Sequence, residues 1–294
     1  MGAQDGLAER FETHRGDLRA LAYRMLGSLG EAEDAVQEVW LRLGRADIDG
    51  VENLAGWLRT VVSRVCLDML RSRRSRREDL VGQRVPDRAR ATGHGSDPER
   101  EALLVDSVGR ALLVVLDTLA PAERIAFVLH DLFAVPFEEI APIVDRSPVA
   151  AKKLASRARH RVRGAPEVPS AVLARHWRVI DAFLSAARRG DLDALLAVLT
   201  PDVVHRADPA ALPPGAVTQV QGARAVAEET VVFRRRSRFA ESALVNGMVG
   251  VVVAPRGRLM LALTFTIEGD RIAAYEVIAD PKRLASLDLA ALGD

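Results

Sequence analysis

A change of apolar period near residue 170 divides this chain into two kinds of structure. Before it, apolar side chains recur every three or four residues, at Val36, Val39, Trp40 and Leu43 and again from Leu54 through Leu58, Val61, Val62, Val65, Met69 and Leu70. That spacing is one face of a helix, and it predicts helical structure over 7–78 and again over 103–163. After Ser170 a long helix (about 171–189) and a short one (191–199) are split by Gly190. Strand-like runs follow at 239–246, 249–254, 259–267 and 271–278, joined by turn residues at Pro255-Arg256-Gly257 and Glu268-Gly269-Asp270. The expected fold is therefore multidomain: two all-α helical domains, the second with a helix-turn-helix, followed by an α+β domain ending in an antiparallel meander.

Two breaks set the domain limits. Residues 79–100 mix Gly, Pro and charge without periodicity and read as a flexible linker. Residues 164–170, GAPEVPS, carry two prolines and end a helical region. The expected domains are thus 7–78, 101–163 and 171–294. No apolar run approaches the roughly 20 residues that span a bilayer, and the first fifteen residues mix acidic and basic side chains without an apolar core. Neither a membrane segment nor a secretory signal is expected, which points to the cytoplasm. The single cysteine, Cys66, cannot form an intramolecular disulfide or a multi-cysteine zinc site, and its apolar neighbours make it a core residue. No metal or cofactor is expected. The formal net charge is only +1, so bulk electrostatics does not mark a nucleic-acid binder. Because nearly every basic residue is Arg, in a chain also rich in Ala, an Arg cluster counts only where its position makes sense.

Three constellations carry the functional reading. At 137–163 a short helix with Ile140 and Val144 inside meets the turn Asp145-Arg146-Ser147. Ser147 can cap the next helix and Pro148 suits its first position. That helix puts Ala151, Leu154, Ala158 and Val162 on one stripe and Lys152, Lys153, Arg157, Arg159, Arg161 and Arg163 on its other faces, the parts of a helix-turn-helix. Pro142 should tighten or kink the first helix after Ile140. In the second constellation Val36, Val39, Trp40 and Leu43 turn inward, and Asp34, Gln37, Glu38 and Leu41 share another face. That face suits a partner helix, or is an ordinary solvated one. The third is the helix from Trp57, which runs into Arg71, Arg73, Arg74, Arg76 and Arg77, five arginines in seven residues. They read as a solvated helix end favoured by the helix dipole, or as a contact to a nucleic-acid backbone.

Taken together, the first 163 residues resemble a bacterial sigma factor of the extracytoplasmic-function (ECF) group within the sigma-70 family. DAVQEVWLRL is similar to the helix that binds the clamp coiled coil of the polymerase β′ subunit. NLAGWLRTVVSRVCLDMLRSRRSRR resembles the segment that opens and reads the −10 element, and 119–163 the domain that reads the −35 element. The resemblance implies core RNA polymerase, through its β′ clamp and β subunits, and promoter DNA as partners, and no membrane. It puts Asp34, Gln37, Glu38 and Leu41 on the polymerase. It puts Arg59, Thr60, Ser63 and Arg64 where an unstacked −10 base is captured, with Arg71, Arg73, Arg74 and Arg76 holding the backbone nearby. Ser147, Lys152, Lys153, Ser156 and Arg157 would face the −35 duplex.

Residues 171–294 resemble the cone-shaped fold of nuclear transport factor 2 and the SnoaL-like polyketide cyclases, which a subset of ECF sigma factors carries as a fused regulator. Residues 243–247 (ALVNG) and Asp280-Pro-Lys-Arg-Leu284 are local matches, the latter similar to that subset's Asn-Pro-Asp-Lys-Leu. The loop at 206–215, RADPAALPPG, departs from its Asp-Gly-Gly-Gly-Lys, and the linker lacks its Trp-Leu-Pro-Glu-Pro. The implied function is promoter-specific initiation of transcription, tuned by the fused domain, with no catalytic residue and no enzymatic activity. A cone fold can enclose a pocket, which leaves an unidentified small-molecule ligand open. Asp202 and His205, beside the first strand, read as an acid–base pair or, more simply, as solvated charges. A one-component regulator that never joins polymerase, and an enzyme with a DNA-binding appendage, are the competing readings. The 30–43 motif followed by the Trp57 segment favours the sigma factor, because only a polymerase subunit needs both.

Overall fold

Ser28, extended at φ −138° and ψ 129°, ends one helix and opens the next: its hydroxyl accepts the Glu31 N–H. Gly27 before it has φ +73°, a left-handed conformation that only a residue without Cβ adopts freely. On either side lie α1 (Gly2–Leu26) and α2 (Leu29–Leu43), and α3 (Leu54–Leu80) packs against both. The computed structural model describes residues 2–46, 51, 53–80, 109–255 and 258–291. Of the segment read as a linker, residues 81–100 lie outside the described residues, as do 101–108 and Arg256-Gly257 of one expected turn.

Helix α2 buries Ala32, Ala35, Val36, Val39 and Leu43 at the expected spacing. Trp40, expected to face inward, sits at the edge of that stripe, 36% exposed, with Phe11 of α1 at 5.0 Å between ring centres. Helix α3 buries Leu58, Val62, Val65, Cys66 and Leu67. Burial pushes the Cys66 thiol up to about 12, outweighing the opposing pull of Arg124, so it stays protonated and unreactive.

Further on come α4 (Arg110–Thr118), α5 (Pro121–Phe127) with a π-helical turn at Val128–Leu132, α6 (Phe137–Val144) and α7 (Pro148–Arg163). Pro142 does not end α6, which runs on to Val144. The hydrogen bond it cannot make would reach Glu138 in the first turn, and both residues are exposed, so neither the ring nor the freed carbonyl has to be buried. By contacts the chain divides into two units, Met1–Val108 with Leu116–Arg159, and Gly109–Val115 with His160–Asp294.

The second unit contains α8 (Ser170–Arg189), α9 (Leu192–Val198), β1 (Leu199–Ala207), β2 (Gln219–Gln221), α10 (Ala223–Val232) and α11 (Arg234–Ser237). Strands β3 (Ala240–Val245), β4 (Met248–Val253), β5 (Leu261–Glu268) and β6 (Arg271–Ile278) follow, then α12 (Pro281–Ala285) and β7 (Leu289–Ala290). The sheet order is β2-β1-β6-β5-β4-β3-β7. The β3–β6 meander is antiparallel as expected, and Asn246-Gly247, at φ 51° and 74°, make its first two-residue turn. Strand β1 joins β6 in parallel, a pairing that local pattern did not suggest. Val179, Ile180 and Phe183 of α8 pack with Val249, Val251 and Val253 of β4 and with Tyr275 of β6.

The Asp280–Leu284 motif serves as a clasp. Asp280 caps α12 by accepting the Lys282 and Arg283 N–H groups. Asp208, in the divergent loop after β1, accepts the Ala279 and Asp280 N–H groups at 3.0 Å and pairs with Arg283, which also reaches Glu276 at 2.7 Å. Burial alone would raise the Asp208 carboxyl. The two backbone N–H donors and the guanidinium outweigh it and hold the group below its usual range. A depressed carboxylate contributes stability that is present above its unfolded value of about 3.9 and is lost as pH falls through the folded one. Asp208→Asn is therefore expected to lower stability at neutral pH and to flatten the loss below about pH 4. Thermal unfolding from pH 7 to pH 3 checks this, and an unchanged acid limb would refute it.

Candidate polymerase and promoter interfaces

The helix-turn-helix is built by two local devices. Helix α6 stops where Asp145 turns left-handed at φ 56° and ψ 54°, and the Arg146 N–H returns to the Ala141 carbonyl at 3.0 Å. Ser147 then accepts the Ala150 N–H at 3.3 Å and starts α7 with Pro148 in its first position. On α7, Ala151, Ala155, Ala158 and Val162 are buried. Leu154 of the expected stripe is only half-buried, and Ala155 takes the deeper place. Ser147, Lys152, Lys153, Ser156 and Arg157 are all exposed. Arg157 also reaches Glu123 at 3.5 Å, and Arg159 pairs with Asp131 at 2.7 Å.

On α3 the expected residues separate. Arg59 and Thr60 are half-buried, and Thr60 donates to the Gly56 carbonyl. Ser63 is fully buried and donates to the Arg59 carbonyl at 2.7 Å, so it braces the helix from inside and faces no partner in this form. Arg64 is exposed and donates to the Pro142 carbonyl of α6 at 3.3 Å, within the same unit. Among the four arginines beyond, Arg71, Arg74 and Arg76 are exposed. Arg73 instead turns inward, where it is tied to Glu31 and the Leu26 carbonyl and lies 3.8 Å from Asp117. The reason lies in register: Arg73 falls on the side of α3 that meets the α1–α2 corner.

Sequence reasoning missed the group at the centre of that network. Arg124 of α5 is 2% exposed and donates to Asp117 at 3.3 Å. Burial lowers its guanidinium to about 10, against the pull of Asp117, which leaves it charged at neutral pH. A lone Arg in a short helix carries no local signal of burial.

The α2 face is as drawn from its spacing. Asp34, Gln37 and Leu41 are exposed, the last 52% exposed, and Glu38 is half-buried beside Arg42 at 2.9 Å. In the second unit, Asp202 is exposed on β1 while His205, three residues on and across the strand, is buried. The two do not pair. His205 is held by Glu229 of α10 at 2.8 Å, a partner distant in sequence.

With this geometry in view, the known relatives are consistent. Residues 10–76 match the family model for Sigma-70 region 2, and 109–162 match that for Sigma-70, region 4. The chain is 35% identical to the "Probable ECF RNA polymerase sigma factor SigI" of Mycobacterium tuberculosis, over 98% of each chain. It is also 35% identical to the "ECF RNA polymerase sigma factor SigJ" of that organism, over 95% of this chain and 93% of the relative. The crystal structure of SigJ aligns with TM-score 0.46 and 33% identity over 94% of this chain and 98% of that one. This chain belongs to the ECF sigma factors of the sigma-70 family. It is an RNA polymerase sigma factor directing promoter-specific transcription initiation, and among the described residues no helix is long and apolar enough to cross a membrane.

Proposed function

We propose that Asp34, Gln37, Glu38 and Leu41, on one face of α2, dock on the β′ clamp of core polymerase, whose β subunit is a further partner. Arg59, Thr60 and Arg64 serve base capture at the −10 element, with Arg71, Arg74 and Arg76 on the nearby backbone. Ser147, Lys152, Lys153, Ser156 and Arg157 read the −35 element. The observation that carries this reading is the exposure of Lys152, Lys153, Ser156 and Arg157 on one helix, together with that of Ser147, which caps it. Arg64 is held by one exposed hydrogen bond, which breaks when a base takes its place. Residues 7–78, 101–163 and 171–294 act as the polymerase and −10 domain, the −35 domain and the regulatory domain. The protein works in the cytoplasm as a binding factor without a catalytic step of its own.

Retention of core polymerase on the immobilised chain tests the docking face. Asp34→Arg/Glu38→Arg is expected to cut retention at least about tenfold, because charge reversal at a complementary interface costs more than the lost contact. If the parent retains no polymerase, residues 1–169 are tested for a docking face masked by the tail. Failure of both would favour the one-component regulator, which binds operator DNA alone.

Tuning by the C-terminal domain rests on two contacts within the second unit. Glu241 of β3 accepts the Ala111 N–H at the start of α4 at 2.9 Å, and the Ala291 N–H beside β7 donates to the Val162 carbonyl in the last turn of α7 at 2.8 Å. These two bonds tie Ala111 and Val162 to the C-terminal sheet within the second unit. Glu241→Ala removes an N-terminal cap worth about 1 kcal/mol. It is expected to change run-off transcription severalfold while polymerase retention stays at the parental level. Unchanged transcription would overturn the tuning role.

A further inference from the structure

Within the second unit, α8, α10 and strands β1 and β4–β6 line a partly open cavity of about 90 Å³. A single water needs only about 10–15 Å³. The walls are mostly apolar, with Phe183 from α8, Phe233 after α10, Val251 and Val253 from β4 and Leu263 from β5. Most polar groups on it are committed inside the protein. Thr230 donates to the Val226 carbonyl at 2.8 Å, which uses its one proton, so Tyr275 must be the donor to Thr230 Oγ1 at 3.0 Å. Arg236 donates to the Ala211 carbonyl at 2.8 Å.

His205 is different. It is 5% exposed, lies against Tyr275 with 4.5 Å between ring centres, and is held through Nδ1 by Glu229. Its Nε2 is buried and has no hydrogen-bond partner. The Glu229 carboxylate accepts, so Nδ1 carries a proton, and in that tautomer of the imidazole Nε2 presents a lone pair. A buried acceptor left unpaired is destabilising, and here it borders an apolar void walled on one side by aromatic rings.

We propose that this cavity binds a small, uncharged, largely apolar molecule, about the size of one aromatic ring, whose single hydroxyl donates to His205 Nε2. Apolar bulk fills the void, ring stacking suits Phe183 and Tyr275, and the hydroxyl satisfies the one open acceptor. A molecule of the same shape without a donor leaves Nε2 unpaired and binds more weakly. This deepens the tuning role proposed above, and only its consequence for transcription rests on that reading.

The test uses the full chain with p-cresol and toluene, which differ by the hydroxyl alone, titrated by calorimetry or ligand-observed NMR. Saturable binding of p-cresol, at least about tenfold tighter than toluene, is expected. His205→Phe keeps a flat ring and is expected to abolish that preference while toluene still binds. Equal affinities in the parent, no saturable binding of either, or a preference that survives His205→Phe would each overturn the proposal. Should His205→Phe not fold, the His205 Nε2 nitrogen resonance of the parent carries the test. A shift on adding p-cresol supports the hydrogen bond, and no shift overturns it. Run-off transcription with p-cresol is scored separately: binding without any change in transcript leaves the site standing and counts against ligand control of tuning.

Discussion

Asp117→Ala is expected to destabilise the first unit by about 3–5 kcal/mol, the cost of leaving a buried charge without its counter-ion. Arg124 is 2% exposed and donates to Asp117 at 3.3 Å, while Arg73 lies 3.8 Å from the same carboxylate. Removing the aspartate leaves two guanidinium groups facing one another, with Glu31 as the acidic partner of Arg73. Adding Arg124→Leu to Asp117→Ala is expected to recover much of the loss, because the charge that needed compensation is gone. Urea unfolding followed by Trp40 and Trp57 fluorescence, in a Trp177→Phe background, measures both variants. If Asp117→Ala costs less than about 1 kcal/mol, or if the double variant is no better than the single one, the pair does not carry this part of the fold.

Lys152→Glu/Lys153→Glu should abolish recognition of the −35 element while leaving polymerase retention intact. Both side chains are exposed on α7, one turn into the helix that the Ser147 cap starts. Each contact of this kind contributes roughly 1–3 kcal/mol, so the pair is worth about thirtyfold or more in affinity. Arg157 is left in place because it also pairs with Glu123. Holoenzyme binding to promoter DNA, measured at several salt concentrations, separates two effects. Loss of a phosphate contact lowers the slope of affinity against salt by about one per cation. Loss of base reading removes the difference between the intact and a scrambled −35 element. A variant with parental affinity and parental salt slope would move the −35 contact off this helix.

Much of the molecule was legible from local pattern. Apolar spacing drew α2 and α3, and Ser147 with Pro148 drew the start of α7, because a helix face and a capped turn depend on residues within four positions of each other. The β3–β6 meander followed for the same reason: alternation and turn residues such as Glu268-Gly269-Asp270 act between neighbours in sequence. Exposure of Asp34, Gln37 and Leu41 came with the period of α2.

Long-range contact governed the rest. Ser63 and Arg73 match a DNA-facing pattern in sequence, yet α3 is covered along that side, and one residue is buried while the other turns to Glu31. Parallel pairing of β1 with β6 brings together residues some seventy positions apart. It buries His205 in a wall that no local signal marks. His205 found Glu229 rather than Asp202, since a strand sends residues three apart to opposite faces and only the packing of α10 supplies a carboxylate on the inner one. Arg124 became a buried cation for a like reason. The chain alone specifies which helices and strands form, through interactions that end within a turn. Which side chain is buried, paired or left open depends on how those elements meet.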